Sequence, residues 1–184
     1  MTHWFQVIQV IQVIEFIKIK ESWVTYIPKL IATLSSIIVL GLYIEENYRI
    51  GVDEQIDKCL PGYSVYLIDL KDKSVVKNGI FAFRAKNMAP FYDDGTKMVK
   101  IMAALPGDKV EINKNEQILI NGVFVKSGLM HASSIGAKKE DLQGQGILGE
   151  GQYWFLGQSE TSFDSRYWGA VSDDQIIGRA HPLF

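Results

Sequence analysis

Apolar and polar positions divide the chain into two textures. Residues 26–44 read YIPKLIATLSSIIVLGLYI, and from residue 30 to residue 44 there is no charge. A helix over this stretch is long enough to cross a hydrocarbon layer of ~30 Å at ~1.5 Å per residue. Trp23 and Tyr26 flank one end and Tyr43 the other, as interfacial aromatics do. Lys29 can snorkel to head groups, and Pro28 is expected in the first helical turn, where proline is tolerated. The run has no polar face, which argues against a buried core helix. It is followed by EENYR and not by a small-x-small cleavage site, so it reads as an uncleaved anchor. Lys18, Lys20 and Lys29 precede its core while only Arg49 follows closely. By the positive-inside rule the N-terminus is expected in the cytoplasm and the remainder outside.

After Arg49 short apolar runs alternate with turn residues: YSVYLIDL, NGIFAFRA, KVEI, QILINGVFV, YWFLG and QIIGRA. Several run with period two and are rich in β-branched and aromatic residues, which predicts strands. Pro61-Gly62, Asn78-Gly79, Pro106-Gly107 and Asn121-Gly122 punctuate them. Asn121-Gly122 between two apolar runs predicts a tight hairpin. Residues 128–151, polar and glycine-rich, read as a long surface excursion. The expected organisation is residues 1–25 as a cytoplasmic segment, 26–44 as the transmembrane anchor and 45–184 as one mainly antiparallel β domain. In the first segment, residues 5–17 repeat QVI three times. A period of three drifts around a 3.6-residue helix, so an interfacial helix and a solvated tail both fit.

Composition narrows the chemistry. With 184 residues there is room for one catalytic domain. A formal charge of −2, with no basic stripe, argues against nucleic-acid binding. The single cysteine, Cys59, rules out an internal disulfide and a CxxC zinc site. His3, His131 and His181 share no ligand spacing, so neither a metal nor a cofactor is expected.

Chemistry concentrates in three segments: residues 58–66, 98–108 and 157–171. Lys100 sits among apolar residues, and in a strand Met98 and Met102 share its face. A lysine so placed loses hydration of its charged form, which favours the neutral amine that a general base needs. The alternative is a surface lysine at a strand end.

The segment VKIMAALPGD resembles the lysine box of the signal peptidase I family, roughly (I/V)KR(V/A)(V/A)GLPGD. GQSETSFDSRYWGAV resembles that family's later box, GDxxxxSxDSRxxGxV, and QIIGRAHPLF resembles the strand after it. GQYWFLG fits GxxFxxG, and KNGIFAFRA fits RGDIVxF loosely. The likeness covers residues 26–184 in matching order. It implies a signal-peptidase-like β domain outside the bacterial inner membrane, working by a serine–lysine dyad on exported preproteins with small residues at −1 and −3. Carried over residue by residue, it makes Lys100 the general base, Ser162 the hydroxyl that holds it, Asp164 and Arg166 a structural ion pair, and Gly107 and Asp108 the shapers of the following turn.

The nucleophile departs from the pattern. The family's SMxP places serine three before proline, where this chain has Lys58. The TraF-like conjugative-transfer branch has SxPxGxY, with serine two before proline. Cys59-Leu60-Pro61 matches that spacing with a thiol for the hydroxyl, and Tyr63 and Tyr66 match its GxY only loosely. A thiol is chemically competent for the step. Ser64 is the alternative nucleophile, and an inert Cys59 the bland reading. The Cys59 N–H is the expected oxyanion donor, while Asp57 and Lys58 leave no obvious side-chain donor just upstream. A carboxylate at Asp57 close to Lys100 would oppose the base. The branch implies a prepilin or secretion-system subunit as substrate. Three outcomes follow: leader-peptide hydrolysis, pilin cyclisation by the same acyl-enzyme chemistry, or a degenerate fold with a binding and assembly role in a conjugative secretion complex.

Overall fold

The structure is a computed structural model and describes residues 22–89 and 91–184. The QVI repeats lie outside these residues. The chain divides into two compact units, Met1–Glu45 and Glu46–Phe184.

Helix α1 (Trp23–Asn47) fills the first unit from residue 23 and ends two residues past its boundary; it runs three residues beyond the expected anchor at each end. Its best 18-residue window has a mean hydropathy of 1.9, and none of that window is buried among the described residues. The helix is long and apolar enough to span a membrane. Its hydroxyls turn back on their own backbone: Thr33 Oγ1 donates to Lys29 O at 2.9 Å and Ser36 Oγ to Ala32 O at 2.9 Å. These two hydroxyls are thereby satisfied within the helix and not left bare to an apolar solvent. Because the helix starts at Trp23, Pro28 lies in its second turn, not the first as expected. It therefore removes one amide donor from the helix ladder.

The second unit is mainly antiparallel β. In chain order its strands are β1 (Tyr48–Val52), β2 (Val65–Asp69), β3 (Ile80–Arg84), β4 (Lys97–Ala104), β5 (Lys109–Ile112), β6 (Gln117–Ile120), β7 (Val123–Ser127), β8 (Gly144–Ile147), β9 (Gln152–Leu156), β10 (Val171–Ser172) and β11 (Ile176–Pro182). A single-turn helix, α2 (Ser165–Trp168), precedes β10. Seven strands form one sheet in the order β1-β2-β11-β3-β4-β9-β10, and four form a second in the order β7-β6-β5-β8. The large sheet's core packs Phe81 and Phe83 of β3, Met98 and Met102 of β4 and Phe155 of β9. Leu60, Tyr66, Ile68, Ala82 and Ala180 form a further cluster.

The Asn121-Gly122 hairpin forms as its dipeptide dictates. The two residues take φ of +52° and +80° between β6 and β7, the pair of left-handed values that a tight two-residue hairpin requires. Residues 128–151 are more than a loop. They hold two 3-10 turns, a buried Leu129 and β8, which pairs with β5 along its length. β8 reads GQGI and is exposed at all four positions, so it carries no period-two signal.

Candidate active site

Lys100 lies mid-way along β4, where Met98, Lys100 and Met102 are buried and Lys97 is exposed. Its register partner is Phe81 of β3. Only 2% of the residue is exposed. Its Nζ lies 3.2 Å from Ser162 Oγ, to which it donates, and no carboxylate among the described residues pairs with it. Asp57 is exposed.

Ser162 is completely buried and held by the segment that follows β9. Asp164 caps α2, accepting from the Arg166 N–H at 3.3 Å. The two side chains, both 0% exposed, form a two-pronged pair at 2.7 and 3.0 Å. Arg166 also donates to Ser162 O at 2.6 Å and Gly128 O at 2.8 Å, while Asp164 accepts from Gly157 N at 3.1 Å. Every arm of the pair is thus hydrogen-bonded, the condition under which a buried ion pair is sustained.

Cys59 lies in the loop between β1 and β2 and is buried. Its carbonyl accepts from Gln158 N at 2.7 Å and Ser159 N at 3.3 Å, and its Sγ lies 3.7 Å from Gln55 Oε1. Gly157 separates it from Ser162. A Cβ at position 157 would collide with Ser162 Oγ and stand 3.1 Å from Cys59 O, so any side chain there forces its neighbours to shift. Lys126 of β7 clamps the same segment, donating to Gly157 O at 2.5 Å and Ser159 O at 2.6 Å. Burial pushes the Lys126 ammonium below the usual lysine range; the Arg166 and Lys100 charges push the same way, while Asp164 and a Cys59 thiolate oppose.

Cys59 and Lys100 both line one cleft of about 470 Å³. Tyr66, Ile68, Ala82, Val99 and Ile177 contribute apolar walls and Arg49, Asp53 and Arg84 polar ones. Ser64 is not among its lining residues; its hydroxyl is engaged by Lys58 Nζ. Residues 97–100 of β4 are also in the lining, and they pair only with β3. β9 joins β4 from Ile101 onward, so no strand among the described residues occupies the other edge of 97–100.

The family model described as signal peptidase, peptidase S26, matches residues 23–184. The chain belongs to this signal peptidase family. It is 32% identical over 111 residues to the "Probable signal peptidase I-2" of Synechocystis sp., covering 60% of this chain and 45% of that protein. It is 29% identical over 148 residues to the conjugal transfer protein TraF of Agrobacterium tumefaciens, covering 79% of this chain and 76% of that one. A solved signal peptidase I of Enterococcus faecalis aligns with a TM-score of 0.37 at 26% identity, covering 59% of this chain and 97% of that one. The chain thus spans about half the length of the Synechocystis relative (45%).

In this signal peptidase family member, two site residues escape sequence reasoning. Lys126 follows the apolar run QILINGVFV, and its acceptors are backbone carbonyls with no sequence signature. Gln55 lies in a polar stretch, four residues before the cysteine it touches. The repeated polar-apolar pattern carries no information about either contact.

Proposed function

We propose that this signal peptidase family member is a membrane-anchored endopeptidase that removes leader peptides from exported proteins, with Cys59 as nucleophile and Lys100 as general base. The observation that carries this reading is the buried Lys100, hydrogen-bonded by Ser162 and without a carboxylate partner among the described residues, on the same cleft as Cys59. In this mechanism the Cys59 Sγ–H proton passes to the neutral Lys100 amine as sulfur attacks the scissile carbonyl carbon. The tetrahedral intermediate collapses as Lys100 returns that proton to the leaving amine. Lys100 then takes a proton from water, which attacks the thioester, and the departing Cys59 sulfur is reprotonated. The Cys59 N–H donates to no protein acceptor among the described residues and is the oxyanion donor, a role worth about 3 kcal/mol in such sites. The open edge of residues 97–100 receives the substrate as an added strand, and the apolar walls take its small side chains.

The anchor, residues 26–44, holds the domain of residues 45–184 outside the bacterial inner membrane, with residues 1–25 in the cytoplasm. The TraF relative supports a prepilin or another secretion-system subunit in conjugative transfer as the substrate. The test is precursor processing by wild type, Cys59→Ala, Cys59→Ser and Lys100→Ala. The reading expects cleavage by wild type and none by Cys59→Ala or Lys100→Ala. Undiminished cleavage by Cys59→Ala overturns the thiol mechanism, and Ser64 becomes the residue to replace next. A product lighter by one water marks cyclisation. The second reading, a binding and assembly subunit, draws on Lys58 standing where the family's serine does. It is adopted if wild type binds precursor and leaves it whole.

A further inference from the structure

Tyr66 is 1% exposed and lines the cleft beside Cys59, yet its phenolic hydroxyl has no hydrogen-bond partner among the described residues. The cause is its setting. On β2 it stands opposite Gly51 of β1, which offers no side chain, and Pro182 of β11. Its cluster partners Leu60, Ile68, Ala82 and Ala180 are apolar, and the Tyr63 ring meets it edge-on at 6.5 Å without a hydrogen bond. A buried hydroxyl without a partner is unfavourable, and native proteins retain few. Phenylalanine would fill the same space without that cost. Burial, followed by the nearby charges of Asp53, Cys59 and Tyr63, holds the phenol up at about 12, so it remains an O–H donor across the working pH range. Tyr66 therefore brings to the cleft wall one O–H donor that has no acceptor among the described residues and is closed to solvent in the free chain, so an acceptor reaches it only where the occupant of the cleft displaces its cover. An extended peptide brings main-chain carbonyl oxygens, which are acceptors of the matching kind.

We propose that Tyr66 is a substrate-binding residue whose hydroxyl donates to a main-chain carbonyl oxygen of the peptide lying in the cleft. The inference rests on the peptide-cleaving reading for the location of the peptide and assigns the contact that orients it. Its role is distinct from that of the Cys59 N–H, which serves the carbonyl under attack.

The experiment compares wild-type full-length chain with Tyr66→Phe in detergent micelles, on a fluorogenic peptide bearing alanine at −1 and −3. The expected result is a five- to thirty-fold fall in kcat/KM with a melting temperature equal to or above wild type, because an unpaired buried hydroxyl has been removed. A kcat/KM within two-fold of wild type overturns the assignment. Binding keeps it separate from the catalytic reading: the same peptide, fluorescein-labelled, is titrated by anisotropy against Cys59→Ala and Cys59→Ala/Tyr66→Phe. If wild type cleaves nothing but Cys59→Ala binds the peptide, a five-fold or greater weakening by Tyr66→Phe still upholds the contact. Equal binding, or no binding by either, overturns it. A scan of single thioamides, which are poorer acceptors, repeats the test from the peptide's side. One position should weaken binding to Cys59→Ala and not to Cys59→Ala/Tyr66→Phe, and no such position sinks the proposal.

Discussion

Replacing Gly157 by alanine tests how the two sides of the site are held together. A methyl group at this position meets Ser162 Oγ, comes within 2.6 Å of Ser162 Cβ and stands 3.1 Å from Cys59 O. Neither neighbour can yield cheaply. Ser162 is fully buried, and its carbonyl is fixed by Arg166 at 2.6 Å. Cys59 O is backbone, held by two N–H groups of the residues just after Gly157. Overpacking of this kind costs about 1–3 kcal/mol. For a domain of this size that lowers the melting temperature by ~3–10 °C. Activity should fall further than stability alone predicts, at least a hundred-fold in kcat, because the displaced atoms belong to the segments carrying the proposed nucleophile and the hydroxyl of the proposed base. The assay is thermal unfolding by circular dichroism together with peptide cleavage. Moving the methylene instead of adding it separates the two effects: Gly157→Ala with Ser162→Gly clears the clash at Ser162 and should recover most of the stability, while the base still lacks its hydroxyl and cleavage stays low. A single Gly157→Ala chain that melts within 1 °C of wild type and cleaves normally would refute the close approach on which this reasoning rests.

Two further substitutions probe the frame. Burial opposes ionisation of Asp108, but hydrogen bonds from Leu105 N–H, Asn121 and Lys77 outweigh it and hold the carboxyl below its usual range. A depressed folded-state value means that its stabilisation is complete above the unfolded value of ~3.9 and is lost as pH falls through the folded one. Asp108→Asn should therefore cost about 1–2 kcal/mol at pH 7 by urea denaturation, with the gap to wild type narrowing below about pH 3.9; an equal gap at both ends of the titration excludes the charged form as its source. Lys126→Met removes two charge-assisted bonds to Gly157 O and Ser159 O and should cost about 1.5–3 kcal/mol, with at least a ten-fold loss of cleavage. Unchanged urea denaturation would show that the clamp contributes nothing.

What the sequence makes legible follows from how each contact is encoded. The apolar run of α1, the alternating strands β3, β5 and β6, and the Asn121-Gly122 turn are each written in local pattern, and each forms in or near its expected place. Lys100 and Ser162 are 62 residues apart, and their meeting at 3.2 Å was readable only because both lie in boxes of a family pattern. β1 and β8 were not readable. β1 has no fully buried residue and β8 is exposed throughout, so partner strands and not side-chain burial define them. Lys126 and Gln55 reach acceptors through geometry set by other segments, which no periodicity records. Pro28 falls in the second turn and not the first because helix ends are set by caps and solvent as well as by the apolar run.

The two halves of the site are held in different ways, and the difference bears on the unusual cysteine. Ser162 is positioned through its own side chain and through the Asp164–Arg166 pair, whose bonds reach Gly128, Gly157 and the Ser162 carbonyl. Any change of residue there alters the frame itself. Position 59 is fixed chiefly through its main chain, by the two N–H groups that bind its carbonyl, and by Leu60, which is 2% exposed in the core beside it. Among the described residues, the 3.7 Å approach of Gln55 Oε1 is the one hydrogen-bond contact of the Cys59 side chain. A side chain whose atoms bear little of the fold can change from hydroxyl to thiol without disturbing the frame around it. The hydroxyl that holds Lys100 has no such freedom, because the Asp164–Arg166 bonds that fix the Ser162 segment are the same ones that tie it to Gly128 and Gly157.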